Sequence, residues 1–583
     1  MSASRVSYLF RFVGSSVLVA ASVLMLRAQA PDNSQQPTPT IRVSTRLVLV
    51  DVVVKDKSGK SINGLKAEDF VVQEKGKTQK IALFTSPAEA KVAVAPQLGP
   101  GIFSNRPEFR STGGPLTVLL LDAANTAFKD QAYARQQMLK FVKEQYKPGQ
   151  KIAIFTLTNS LGMLQDFTSD PEALNKVLEN YQPQQQELAK ASPPPVSASL
   201  GSVNGGRGAE ASATLVQALH NFQDVQVGFQ MERRVEITLE AMRAMGRMLS
   251  GIPGRKNVIW VTAAFPFSLI PEDRTVSEAE LSESLPTVSQ LGLNARAAGS
   301  VASNNRNSHT EEIRQASAQL SSAQVAIYPI DARGLMTGVV TLEDEKSSGG
   351  PYNYGGAAEV RMSDTQSSQE TMREMARETG GVAYVNQNEI KLGVSNAIAD
   401  STASYTLGYY PDDKKWDGKY RNIKIKLKRD SELRYRRGYF AIDPSAQKDR
   451  KPDQEVAEAL RDRAPDTQVT FSAQVKPQDK GKVNVTFLVD PNTISVEDAS
   501  GGGKKINIMF YATMFAPDGK MLSNLSQKVD QAFDAATYEK IQKQGILVQM
   551  DLDAKPGDNN EVRLVVRDNR TGFMGTLNGS VPH

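Results

Sequence analysis

Pro115-Leu116-Thr117-Val118-Leu119-Leu120-Leu121-Asp122-Ala123-Ala124-Asn125-Thr126 joins an unbroken apolar run to a short loop of small and polar residues. The run from Val118 to Leu121 predicts a strand buried on both faces, as in a parallel sheet. It stops at Asp122, and a helical stretch starts near Asp130. The carboxylate of Asp122, the amide of Asn125 and the hydroxyl of Thr126 are thereby expected at the carboxyl end of a central strand. That is where open α/β sheets bind ligands.

Working outward, strands and helices alternate. Lys151–Leu157 and Met163–Phe167 read as strands, and Pro171–Glu179 as a helix. A long helix is expected over Glu232–Leu249, where Val235, Leu239, Met242, Met245 and Leu249 recur at helical spacing and Gly251-Ile252-Pro253-Gly254 ends it. Asn257–Thr262 and Val325–Ile330 are further buried strands, the second ending at Asp331. Helices over Glu311–Ser322, Ser367–Thr379 and Glu389–Ala399, with a strand at Val382–Val385, complete the pattern. The alternation predicts an α/β fold with a doubly wound, mainly parallel sheet over residues 114–403. Residues 182–210, 268–308 and 334–366 read as polar or Gly- and Ser-rich excursions.

On either side the pattern turns to strands. Thr45–Val54, Phe70–Gln73 and Ile81–Phe84 precede the α/β region, and Tyr405–Tyr410, Arg421–Arg429 and Tyr435–Ile442 follow it. Neither set suffices for a stable sheet pair alone. The expectation is one discontinuous β-sandwich of 40–87 plus 404–443, with the α/β domain inserted in it. Residues 88–113 read as a linker, and 444–465 as a charged linker with a short helix. Residues 466–583 predict a C-terminal immunoglobulin-like β-sandwich of six or seven strands.

A chain of 583 residues is too long for one core and suggests about three domains. A formal charge of +5 gives no reason to expect nucleic acid as a partner. Arg5 and Arg11 precede an apolar stretch from Phe12 to Leu26, and Ala28-Gln29-Ala30 is a small-x-small site. Residues 1–30 therefore read as a secretory signal peptide cleaved near Ala30. The apolar run is shorter than the roughly 20 residues of a spanning helix, so no transmembrane segment is expected in the mature chain. The absence of cysteine excludes disulfides, thiol nucleophiles and cysteine-zinc sites. A periplasmic or secreted bacterial protein is expected.

Catalytic motifs are sparse. His220, His309 and His583 lack metal-ligand spacing. Gly393-Val394-Ser395-Asn396-Ala397 approaches a nucleophile elbow but falls in an expected helix. Gly501–Lys505 lacks the strand-to-helix context of a phosphate loop. Asp412-Asp413-Lys414-Lys415 reads as a solvated hairpin tip. Of the aromatic cluster Tyr405, Tyr409, Tyr410, Trp416 and Tyr420, the first two are expected in the core, as is Trp260.

Several stretches carry a resemblance: LVLVDVVVKDKSGKSINGLKAEDF, LLDAANT, GIPGRKNVIWVTAAFP, VAIYPIDARGL, ARETGGVAY and YTLGYYP. Residues 115 to about 400 resemble a von Willebrand factor type A domain, and the mature chain resembles the VWFA-related proteins of acidobacterial type. The resemblance implies a protein-binding or adhesive role without catalysis, the partner being another protein or a cell-envelope component. It also implies a metal-dependent adhesion site built from a D-x-S-x-S loop, a distant Thr and a distant Asp. Asp122 and Thr126 match the loop, whereas Ala124 replaces its middle Ser and Thr262-Ala263-Ala264 lacks the distant Asp. Thr238 is a candidate for the distant Thr, although it falls inside the expected helix. Asp122, Asn125 and Thr126 offer two or three ligands, and Asp331 another carboxylate, against the six oxygens that Mg²⁺ wants. The expectation is a degenerate site holding Mg²⁺ or another divalent cation weakly, or not at all. In the alternative, Asp122 and Asn125 cap the strand-helix turn. The competing function is a cell-envelope hydrolase acting on polysaccharide or peptide through carboxylates that the sequence does not place.

Overall fold

The apolar runs become strands, and the order in which they pair places the loop after residue 122 at the centre of a sheet. The computed structural model describes residues 47–87, 96–109, 116–184, 207–267, 309–334, 354–387, 390–446, 451–461, 465–478, 481–553 and 560–581, with backbone alone for 207–228 and 354–364. The first segment supplies β1 (Val48–Lys55), β2 (Phe70–Glu74), β3 (Lys77–Gln79), β4 (Ile81–Thr85) and β5 (Ile102–Ser104). The α/β segment runs β6 (Leu116–Asp122), α1 (Phe128–Glu144), β7 (Lys151–Leu157), β8 (Leu161–Thr168), α2 (Pro171–Asn180), α3 (Arg207–Ser250) and β9 (Lys256–Thr262). It continues through α4 (Thr310–Ser322), β10 (Val325–Asp331), α5 (Tyr354–Thr379) and α6 (Ile390–Thr402). Then come β11 (Ser404–Tyr409), β12 (Tyr420–Leu427), β13 (Glu432–Arg434), β14 (Gly438–Phe440) and α7 (Pro452–Arg461). The last segment holds β15 (Phe471–Gln478), β16 (Lys482–Val489), β17 (Glu497–Asp498), β18 (Lys504–Phe515), β19 (Met521–Phe533), α8 (Ala535–Gln544), β20 (Ile546–Asp553), β21 (Glu561–Asp568) and β22 (Met574–Ser580).

The central sheet has the order β10-β9-β6-β7-β8. The first four strands are parallel, and β8 runs antiparallel to β7 at the edge. Every residue of β6, β7, β9 and β10 is buried, which explains their continuous apolar reading. Val118 and Leu120 face Leu239, Met242, Met245, Ile313 and Met372 of α3, α4 and α5. Leu119 and Leu121 face Met138, Phe141, Leu174, Leu178 and Val394 of α1, α2 and α6. The chain leaves β6 for β7 on one side and later crosses to β9 on the other. The strand order therefore reverses beside β6, and the crevice opens where Asp122 and Thr262 end their strands.

Strands from before and after the α/β segment share sheets. One sheet has the order β13-β1-β11-β4, the other β14-β12-β2-β3. In the first, Val50 pairs with Leu407 and Val52 with Tyr405. In the second, Val72 pairs with Ile425. Their apolar faces close on one core that includes Tyr405 and Tyr409. The last segment forms two further antiparallel sheets, β20-β16-β15-β5 and β17-β18-β21-β22, with β19 paired to β18.

The structure departs from expectation where local sequence was a poor guide. Within the 88–113 stretch expected as a linker, Ile102–Ser104 form β5 and pair with Ser472–Gln474 of β15. A three-residue edge strand has too few residues to show a pattern. The helix expected from Glu232 begins at Arg207, and the one expected from Ser367 begins at Tyr354. Val382–Val385 contributes a single bridge, Tyr384 to Ile330, instead of a strand. Of Tyr435–Ile442 only Gly438–Phe440 form a strand, β14, and the short β13 that precedes the stretch belongs to the other sheet. The last segment has eight strands and a helix, α8, in place of six or seven strands. The excursion at 268–308 and residues 185–206 lie outside the described residues, as does the stretch read as a signal peptide. Among the described residues no helix is long and apolar enough to cross a membrane.

Candidate functional site

The loop after β6 is pinned from several sides. The amides of Ala123 and Ala124 both donate to the carbonyl of Leu157 at the end of β7, at 2.8 and 2.9 Å. The Gln131 amide of α1 donates to the carbonyl of Thr126 at 2.8 Å. Ala124, which replaces a serine in the resemblance, is fully buried and its methyl belongs to the core beneath the sheet. A hydroxyl there would be buried against apolar side chains, so alanine suits this site.

Held this way, Asp122 points inward. Its Oδ1 accepts the backbone N–H of Asn125 at 2.9 Å, and Oδ2 accepts Asn125 Nδ2 at 2.9 Å and Trp260 Nε1 at 2.9 Å. Burial pushes the Asp122 carboxyl up from its ordinary value, against the Asn125 and Trp260 donors that hold it down. Trp260 comes from β9 and is locked by an edge contact to Phe265, ring centroids 5.1 Å apart. Asn125 Nδ2 also donates to Thr238 Oγ1 at 3.0 Å. Thr238 lies within α3, not before it, and is wholly buried. Thr126 Oγ1 accepts the Ala263 amide at 3.1 Å and so ties the β6 loop to the β9 loop.

One residue was missed by sequence reasoning. Arg234, four positions before Thr238 and on the same face of α3, donates its Nε to Asn125 Oδ1 at 2.8 Å. Burial pushes this guanidinium down, and the Asp122 charge opposes that shift. Helical spacing to Thr238 was the one sequence signal available, because the contact itself spans 109 positions.

Asp122, Asn125, Thr126 and Thr238 are thus brought together, and Asp331 is not one of them. Asp331 ends β10, on the far side of β9 from β6. It is chelated by Arg333, with Nε to Oδ1 at 2.8 Å and Nη2 to Oδ2 at 2.9 Å, and receives Gln369 Nε2 at 3.1 Å.

These contacts do not fit a cation shell. N–H groups occupy both Asp122 oxygens, Asn125 Oδ1 faces a guanidinium, and Thr126 Oγ1 faces an amide. A divalent cation would have to displace these donors and accept a positive neighbour. Among the described residues no three His, Asp or Glu side chains are grouped to hold a metal. The Asn125 amides and the Trp260 indole N–H satisfy the strand-end carboxylate by themselves.

No family model matches the chain, and no curated protein matches it in sequence. Among solved structures, it is similar to an aerotolerance-related membrane protein from Bacteroides fragilis, at 12% identity and TM-score 0.21, over 50% of this chain and 98% of that one. It is also similar to a von Willebrand factor type A protein from Catenulispora acidiphila, at 9% identity and TM-score 0.21, over 90% of this chain and 75% of that one. A BatB protein from Bacteroides thetaiotaomicron gives 12% identity and TM-score 0.20, over 50% of this chain and 98% of that one. At such TM-scores the likeness bears on neither site nor function.

Proposed function

We propose that this chain is an exported, non-enzymatic protein-binding protein that presents the carboxyl edge of its central sheet to a partner. The observation that carries this reading is the convergence of Asp122, Asn125, Thr238 and Arg234, from β6 with its loop and from α3, at the place where the strand order reverses. The arrangement positions donors and a cation at a rim and contains no nucleophile beside a base. Recognition is the chemistry that such a rim supports. The resemblance of the sequence to the type A family agrees with it, and the strand-end cluster is then a degenerate adhesion site that works without a resident metal.

A photoreactive phenylalanine analogue at Ala264 tests this, with the same residue at Lys147, at the opposite edge, as control. Irradiation of cells that make the protein is expected to cross-link a second protein from position 264 and not from 147. Equal cross-linking from both, or none from 264, would overturn the reading.

A further inference from the structure

The Arg234 guanidinium is only partly used. Its Nε is fixed by Asn125 Oδ1 at 2.8 Å, and its side chain is part-buried. Among the described residues, Nη1 and Nη2 have no hydrogen-bond partner. The Asp122 charge acts on it, but the Asp122 oxygens are already taken by Asn125 and Trp260. Asn125 stands between the two, donating to the carboxylate and accepting from the guanidinium. The result is a positioned, part-buried cation with one edge held and, among the described residues, its outer fork without a partner, beside the carboxyl end of β6.

A guanidinium fork matches a carboxylate in two parallel N–H···O bonds, and partial desolvation strengthens such a pair. Asn125 fixes the plane of the fork, so little side-chain freedom is lost when a ligand arrives. By contrast Arg333, on the same rim, has its Nε and Nη2 committed to Asp331. We propose that Arg234 is the anchor of a metal-independent site for a carboxylate, the side chain of an Asp or Glu on a protein partner. This deepens the binding reading above and rests on it.

Trp260 makes the test direct. The chain has two tryptophans, Trp260 and Trp416, and Trp260 donates to the same carboxylate that Asn125 braces. In a Trp416→Phe background Trp260 alone reports. The full-length protein is titrated, with EDTA present, with the capped peptide acetyl-Gly-Glu-Gly-amide, its Gln counterpart and inorganic phosphate. A saturable change with the Glu peptide at millimolar concentration is expected, at least tenfold weaker with the Gln peptide. Arg234→Met is expected to weaken it at least tenfold, and Arg234→Lys, which keeps the charge without the fork, by less. An unchanged melting curve for Arg234→Lys keeps the comparison free of folding effects.

A response that needs added Mg²⁺ and ignores Arg234→Met would overturn the proposal. So would equal binding of the Glu and Gln peptides, binding of phosphate alone, or no response to any probe. The cross-link from position 264 separates the two readings. If it persists in Arg234→Met while the peptide response is absent, the face binds a partner through other groups. If both are absent, both readings fall.

Discussion

At the amino end of β9 the side chains of Arg255, Lys256 and Asn257 are buried, and at the carboxyl end of β6 so are those of Asp122 and Asn125. The two edges of one sheet therefore both carry buried polar groups. At the amino end the contacts run across to neighbouring parts of the fold. Arg255 Nη2 reaches the Tyr328 hydroxyl at 2.9 Å and the Gly380 carbonyl at 2.7 Å. Tyr328 donates to Asp400, which also pairs with Lys55 of β1 at 2.6 Å and Arg434 of β13 at 3.4 Å. Gln324 and Thr406 both donate to Asp51 of β1, and Asn257 Nδ2 donates to the Ala397 carbonyl and to Ser401. At the carboxyl end the contacts stay within the α/β segment and, among the described residues, leave the Arg234 fork without a partner. Closed at one edge and open at the other, the sheet is mounted on its β-sandwich by the first and offers a face at the second.

The largest effect should come from breaking the mount. Asp400 is fully buried and faces Lys55, Arg434 and Tyr328. Asp400→Ala leaves those cations without their shared anion, and loss of one partner of a buried pair typically costs about 3–5 kcal/mol. Urea unfolding of the full chain is expected to show that loss, with peptide binding at the opposite edge unchanged in whatever fraction remains folded. A loss below about 1 kcal/mol would mean that the network is solvated and does not join the segments.

The matching break at the open edge is smaller. Asp122→Ala removes the acceptor of the Asn125 amide, its side-chain Nδ2 and Trp260 Nε1. Unsatisfied buried donors cost about 1–3 kcal/mol. Thr238 still accepts from Asn125, so the loop is expected to fold and to hold Arg234 less firmly. Unfolding titration should show the loss while the single-tryptophan emission shifts. An unfolded α/β segment would instead make Asp122 part of the mount.

The same contrast marks what could be read from sequence. The strands at 116–122, 151–157, 256–262 and 325–331 are legible because both faces are apolar, so every residue repeats the signal. The position of Asp122 at a strand end follows from the same run. Ile102–Ser104 were not legible, because their partner lies more than 360 positions away and the pairing depends on the last segment folding. Nor was Arg234. The sequence places it on a helix, but the length of α3 and its packing against β6 decide that its Nε meets Asn125. Thr238 stood in view as a hydroxyl inside a helix, and only the structure aims it at Asn125.

The smallest effect, per pH unit, sharpens the comparison at the closed edge. Lys256 is fully buried and donates Nζ to the Ile252 carbonyl at 2.6 Å. Burial lowers its ammonium from 10.5 to about 7, and the Asp51 charge opposes the shift. Between pH 7 and 10.5 the unfolded lysine binds a proton that the folded one has released. Stability from this group therefore rises with pH across that window, by up to about 1.4 kcal/mol per pH unit, and below it the buried ammonium opposes folding in full. Lys256→Met removes the titration and keeps most of the apolar volume. The variant should exceed the parent in stability at pH 6.5, and the advantage should shrink as the pH is raised to 9.5. Urea midpoints for the pair across that range measure the difference directly. Curves that stay parallel would mean that the ammonium remains charged throughout, matched by Asp51. The closed edge would then be held by ion pairing at every pH tested.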